Sequence, residues 1–396
     1  MQVLKNRRVL LLTESYSPNV GGIQNYLSEL MAQLSPAHTF VLAGKQKFKQ
    51  DDMAAWDNKQ KYKIVRFSTN RFSFPNWRPA YKQLEKAVAE FQPEIIVCGK
   101  ALFEGRAALR IFKKTGIPYV VMTYGMEIRF WLKIRKVKRD LLNVLENAQS
   151  IFVINEYIKN LLVRELTNKG LVGCENKFVK MYPGVDGFFS QPSGDTKRLR
   201  EELGVEGKKV IVTVCRIVRR KGIDIVINAM KEIKKEVPNV FYLVLGDGPE
   251  KDSFEKLARD VGVDDSVKFL GKVSREKIRA VFNISDLFVL TPRDIDGDME
   301  GFGIVYLESA IAGLCVVGSK SGGVPEAVIN AQTGLLANEN DVSDTAEKII
   351  KLLKDDVLRK SLASNARARA VTDFSWQKRG VLFRGAVEAI INNKLA

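Results

Sequence analysis

Short apolar runs alternate with longer stretches of helical periodicity along the whole chain. In the first half the pattern predicts strands over residues 7–14, 38–44, 95–99, 119–125 and 150–155. Helices are predicted between them, over 24–34, 81–91 and 104–115. The alternation begins again in the second half, with strands over 208–216, 240–248, 267–271, 287–292 and 315–319. There the helices fall at 222–236, 250–261, 274–284, 303–312 and 342–354. Strands that are apolar on both faces suit a parallel sheet covered by helices on both sides. Between the halves lies YPGVDGFFSQPSGDTK, residues 182–197, a polar stretch with the glycine and proline content of a linker.

Length supports two units. The 396 residues exceed the roughly 250–300 at which a single hydrophobic core stops growing. The expectation is an α/β chain of two Rossmann-like, doubly wound domains, residues 1–185 and 186–375, facing a central cleft. The segment 376–396 reads as a helix that crosses back to the first domain. A hydrophobic fraction of 45% and a charged fraction of 28% belong to an ordinary globular chain. No apolar run approaches the ~18–20 residues of a spanning helix. The basic beginning is followed by only four apolar residues, Val9 to Leu12, short of the about 7–15 of a secretory leader, so this stretch reads as a buried first strand.

Cys98, Cys174, Cys215 and Cys315 are scattered and form no CxxC pair, which fits a reducing cytoplasm. His38 is the sole histidine, too few for a histidine-rich metal site. The charge is lopsided. Residues 1–182 carry 30 Lys and Arg against 15 Asp and Glu, whereas the remainder carries 33 against 31. A positive first half attracts phosphate-bearing partners. Nucleic acid is set aside, because no recognised RNA- or DNA-binding module is present.

Three segments carry candidate chemistry. Gly21 and Gly22, in PNVGGIQNYL, follow the first strand and let backbone amides approach an anion at a helix N-terminus. Arg216 and Lys221, in CRIVRRKG, again follow a strand, and two cations there can neutralise a diphosphate without a metal ion. The third is EGFGIVYLESAIAGL. Glu300 sits in a glycine-rich loop that leaves it open to a sugar hydroxyl. Glu308 falls inside the following helix among Val305, Leu307 and Ala310, where a carboxylate needs hydroxyl partners such as a ribose diol.

Taken together, these segments resemble the retaining GT-B glycosyltransferases of family 4, over nearly the whole chain. GGIQNYL is similar to their N-terminal diphosphate loop, CRIVRRKG to their Arg-x4-Lys pair, and Glu300 to Glu308 to their E-x7-E motif. The combination of GGIQ, RxxxxKG and EGxGIVYLE is closest to GDP-mannose-dependent lipid mannosyltransferases. The resemblance implies that Arg216 and Lys221 hold the diphosphate and Glu308 the ribose. Glu300 and the amides of the Gly301, Phe302, Gly303 and Ile304 segment would hold the donor sugar. The backbone near Val273 and the turn Gly246, Asp247, Gly248 would border the base. Where many members carry His-Gly beside the donor sugar, this chain has Tyr124-Gly125, whose phenol would take over that hydrogen bond.

The implied reaction moves a hexose from GDP-mannose or a UDP-hexose to a lipid-linked or oligosaccharide acceptor in glycan or envelope polysaccharide synthesis. No cofactor and no metal are implied, the nucleotide sugar being a substrate. The acidic run Asp294, Asp296, Asp298 reads as a loop beside the sugar site, because Met299 stands where a calcium loop needs glycine. Two alternatives stand beside this reading, a catalytically weak nucleotide-sugar-binding protein, motivated by Tyr124, and a GT-B nucleotide-sugar epimerase. FWLKIRKVKRDLLNVL, residues 130–145, is basic, amphipathic and aromatic. It suits an anionic membrane surface, or a helix packed in its own domain. A cytoplasmic protein, peripheral on the inner face of the cell membrane, is the corresponding expectation.

Overall fold

The computed structural model describes residues 7–19, 21–45, 50–68, 77–192 and 194–395. Val20, the basic beginning before Arg7 and Ala396 lie outside the described residues. The chain divides into two compact units, Met1–Gly184 with Trp376–Ala396, and Val185–Ser375.

The first unit is built on strands β1 (Val9–Thr13), β2 (Thr39–Lys45), β3 (Lys63–Ser68), β4 (Ile95–Cys98), β5 (Tyr119–Thr123), β6 (Ser150–Val153) and β7 (Phe178–Lys180). They form one parallel sheet in the order β3-β2-β1-β4-β5-β6-β7. Strand β1 is central, with Val9 opposite both Thr39 and Ile95. All five of its residues are buried, because alternate side chains serve opposite faces. Leu10 and Leu12 enter one apolar cluster, with Leu84, Leu109 and Leu145. Val9 and Leu11 enter the other, with Leu27, Leu30 and Met31 of the helix Gly22–Ala32. The helix Trp376–Leu395 contributes Trp376, Phe383, Val387 and Ile391 to that second cluster. Phe383 meets the ring of Phe152 edge-on at 5.8 Å.

The second unit carries β8 (Lys209–Val214), β9 (Val240–Leu245), β10 (Val267–Gly271), β11 (Leu287–Val289), β12 (Cys315–Ser319) and β13 (Leu335–Ala337). They pair in parallel in the order β10-β9-β8-β11-β12-β13. Its helices begin where capping residues permit. Asp195, Ser274, Asp341 and Asp355 each accept an amide of the first turn.

Both sheets are doubly wound parallel layers, as the alternating pattern predicts. Strands β3, β7 and β13 are additional to the prediction. In each sheet the strand order reverses beside the first strand, between β1 and β4 and between β8 and β11. Loops leaving the carboxyl ends of those strands diverge and open a crevice for ligands. The segments that place candidate chemistry after a strand are therefore at switch points: Gly21-Gly22 follows β1, Cys215–Gly222 follows β8, and Glu300 follows β11.

Candidate active site

The second unit gathers charge at the β8/β11 switch point. Beyond β8 the chain makes a short turn, Arg219–Lys221, and enters the helix Ile223–Glu236 through Gly222. Gly222 has φ +71°, and a Cβ there would strike the carbonyl oxygen of Thr291. The absent side chain lets the turn lie directly against the segment that leaves β11. Lys221 Nζ thereby meets Glu300 Oε2. Arg220 Nη1 approaches the same oxygen at 3.3 Å, and its Nε pairs with Asp298 Oδ1 at 2.9 Å. The Lys221 and Glu300 side chains are only 11% and 12% exposed, so this pair is shielded from water. Burial alone would raise the Glu300 pKa, but Lys221 and Arg220 outweigh it and hold the carboxyl below the usual glutamate value.

Arg216 is not among these contacts. It is exposed and forms no hydrogen bond or ion pair with the described residues. The spacing that pairs it with Lys221 in sequence does not make it part of the Glu300 cluster. Arg220, which sequence reasoning passed over, takes that place. Nothing distinguishes it in the run RRK except its position one residue nearer the helix.

The Glu300 loop turns into the helix Ile304–Ile311 at Gly303, whose φ is +80°. A Cβ at Gly303 would lie 2.6 Å from the ring of Tyr306. The helix has no side-chain cap at its start, and the positive end of its dipole favours an anion or a hydroxyl oxygen there. Phe302 is buried with its ring 5.5 Å from that of Phe374, which fixes the loop from behind. Only its backbone can serve a ligand.

Glu308 is half-buried on this helix and has no hydrogen-bond or ion-pair partner among the described residues. Burial pushes its pKa up to about 7, with Arg275 opposing and Asp186 adding to the rise. A carboxyl so placed is short of donors. Arg275 is held by Asp186 at 3.1 Å and stacks over the ring of Phe188 at 4.6 Å. Nearby, Val273 is half-buried in the turn before the helix Arg275–Ile284. Asp247 is exposed in the turn after β9, where its carboxylate accepts the Gly248 amide at 2.8 Å.

The acidic run is occupied by its own neighbours. Asp298 faces Arg220, and Asp294 Oδ1 accepts the Gly297 amide at 2.5 Å. Among the described residues no group of three or more His, Cys, Asp or Glu side chains is arranged to hold a metal ion.

In the first unit, Gly21 caps and Gly22 opens the helix that follows β1. A Cβ on Gly22 would meet no atom within 4 Å, so no packing demand of the protein accounts for the glycine. Gln24 reaches back to Ser15 at 2.5 Å and braces the loop. Tyr124 is 8% exposed, with its ring edge-on to Tyr26 at 6.0 Å inside an apolar cluster. Its ring is thus part of the core of this unit.

The basic stretch divides into two helices, Met126–Lys133 and Arg135–Asn147, separated at Ile134, whose backbone is extended. Trp131, Leu132 and Val137 pack on the core, and Leu141, Leu142, Val144 and Leu145 are buried. Phe130 and Ile134 remain 59% and 41% exposed. The side chains of Lys133, Arg135, Lys136 and Arg139 are exposed beside them. No described helix is long and apolar enough to cross a membrane.

Both units match described families. The family described as glycosyl transferases group 1 matches residues 195–369, and Glycosyltransferase Family 4 matches residues 20–186. The chain is 28% identical to a GDP-mannose-dependent alpha-(1-6)-phosphatidylinositol monomannoside mannosyltransferase of Mycolicibacterium smegmatis, over 94% of this chain and 96% of that one. It is 29% identical to the corresponding monoacylated phosphatidylinositol monomannoside mannosyltransferase of Corynebacterium glutamicum, over 95% and 96%. In fold it is similar to Anabaena HepE in complex with UDP, with a TM-score of 0.79 at 20% identity, over 96% of this chain and 100% of that one. With one family pattern on each unit and mannosyltransferases as full-length relatives, the chain is a glycosyltransferase and belongs to family 4, in the GT-B fold.

Proposed function

We propose that the protein transfers a hexose, with retention of anomeric configuration, from GDP-mannose or a UDP-hexose to a hydroxyl of a lipid-linked or saccharide acceptor. The role fits glycan or envelope polysaccharide synthesis. The observation that carries the reading is the Glu300 carboxylate held ionised by Lys221 and Arg220, with Glu308 about one turn into the next helix and unpartnered among the described residues. Relatives of nearly the same length use GDP-mannose and a phosphatidylinositol monomannoside.

The residues act on the donor in stages. The ribose diol donates to Glu308, which exchanges a poorly solvated carboxyl for a hydrogen-bonded one. The diphosphate lies against Lys221 and Arg216, whose charge stabilises the negative charge that grows as the glycosidic bond breaks. Glu300 accepts from the sugar hydroxyls, and the amides of the Gly301 to Ile304 segment orient the sugar. The departing phosphate takes the acceptor proton in a front-face displacement, so the protein supplies charge and orientation and no nucleophile. Charge at Lys221 and Arg216 serves where a metal would otherwise neutralise the diphosphate.

The basic first unit binds the acceptor. Phe130 and Ile134, exposed among Lys133, Arg135, Lys136 and Arg139, rest on an anionic membrane surface on the cytoplasmic side. Transfer from labelled GDP-mannose and UDP-glucose to a lipid extract, followed by NMR assignment of the product anomer, tests the reading. Retained configuration supports it. Inversion, or donor binding with neither transfer nor hydrolysis, contradicts it, and the latter outcome favours the binding-protein alternative.

A further inference from the structure

The opposite end of the second sheet holds a feature that the donor site does not use. A cavity of about 250 Å³ opens where β11 and β12 begin, bounded by Asp286, Cys315 and the helix Asp356–Phe374. The donor loops leave the other ends of these strands, and β12 alone separates the two ends by about 16 Å at ~3.3 Å per residue. The cavity is therefore distinct from the donor site.

Its charges sort into two groups. Asp286 is committed, accepting the Val210 amide at 2.8 Å and facing Arg359 at 3.8 Å. Arg359 is buried and fixed, donating to the Leu352 carbonyl at 3.1 Å and pairing with Asp356. Lys360, Ser364 and Arg367 are uncommitted, with no hydrogen bond or ion pair to the described residues. Spacings of four and three residues bring these three to one face of the helix. One wall thus presents two cations and a hydroxyl, all exposed, beside a floor whose own charges are already balanced. Cations on one helix face attract an anion beside them. A phosphate monoester matches this set, because it carries close to two negative charges and its oxygens accept from several directions at once. The volume, about eight waters at ~30 Å³ each, leaves room for a sugar-sized group beside the phosphate.

We infer that this cavity binds a small phosphorylated molecule, of the class of a hexose phosphate, through Lys360, Ser364 and Arg367. The test is calorimetric titration of the full chain with glucose 6-phosphate, inorganic phosphate and glucose. Saturable binding of the hexose phosphate is expected, with at least tenfold weaker binding of phosphate and none of glucose. Lys360→Gln combined with Arg367→Gln should weaken it at least tenfold and leave the melting temperature unchanged, since neither side chain holds another. Lys221→Ala should leave it intact, which keeps the result separate from the donor site. Binding lost in Lys221→Ala but kept in the double variant would overturn the assignment, as would the absence of saturable binding. Retention on phosphatidylglycerol vesicles that the double variant abolishes, without hexose phosphate binding, would also overturn it and assign the face to a lipid surface.

Discussion

Lys221 and Glu300 are 79 residues apart in sequence, yet the ammonium of one touches the carboxylate of the other. The contact exists because the turn after β8 and the loop after β11 leave neighbouring strands at the point where strand order reverses. It holds a carboxylate ionised in a water-poor setting and keeps a cation beside it for an incoming diphosphate.

Removing the cation should weaken donor binding more than folding. Lys221→Ala is expected to raise the donor dissociation constant about ten- to a hundredfold, the equivalent of about 1.5–3 kcal/mol for a charge-assisted contact. Arg216→Ala, at an exposed position, should cost less. Calorimetric titration of both variants checks the ranking.

The Glu308 carboxyl should make nucleotide binding pH-dependent. Its folded pKa of about 7 lies above the ordinary 4.5, so the unliganded protein favours the protonated form. The stabilisation that this position allows is complete below about pH 4.5 and is lost as pH rises through about 7. Ribose hydroxyls donate to the ionised form, so affinity should rise from pH 6 to 8 and binding near pH 7 should release a proton. Glu308→Gln should flatten the pH profile. It should also make the unliganded protein more stable at pH 8, by up to about 3 kcal/mol. Titration in buffers of different ionisation enthalpy measures the proton, and urea unfolding measures the stability.

Much of this architecture was legible in the sequence. Strands such as 9–13 and 315–319 are apolar but for a terminal Thr13 and Ser319 and are buried throughout, and burial on both sheet faces leaves that signature. The additional strands lack it or, like the buried Leu335–Ala337, are too short to show it. Lys63–Ser68 is the sheet's edge strand with several half-exposed positions, and Phe178–Lys180 and Leu335–Ala337 are three residues each. The site was legible as segments and less so as contacts. Glu300 reads as a free carboxylate in a loop, whereas its partners arrive from a turn on another strand. Arg220 was passed over, because spacing along the chain does not reveal which of several cations turns toward Glu300. Tyr124 sits within the matching segment, but its ring meets that of Tyr26 from a distant helix, in a cluster that Trp376 also joins, and is enclosed in the core.

Because the Tyr124 ring is core, truncation should be felt as instability. Tyr124→Ala is expected to cost about 3–5 kcal/mol. Tyr124→Phe should keep the packing and cost far less. Denaturant unfolding separates the two, and transfer assays on Tyr124→Phe show whether the hydroxyl also serves the donor.

Phe130→Asp together with Ile134→Asp should abolish vesicle binding without unfolding the protein, since both side chains are exposed. Binding of the wild type to phosphatidylglycerol vesicles should fall with salt, each nearby Lys or Arg contributing about 1 kcal/mol. Sedimentation with vesicles at low and high ionic strength reads both effects.

The most direct test of the account is a donor titration of the double variant Lys221→Ala, Glu308→Gln, set against the wild type in the presence of EDTA. The account predicts tight donor binding and transfer by the wild type without divalent metal, and at least a hundredfold weaker binding in the variant with the fold intact. Unchanged affinity in the variant, or wild-type activity that vanishes in EDTA and returns with magnesium or manganese, would contradict it.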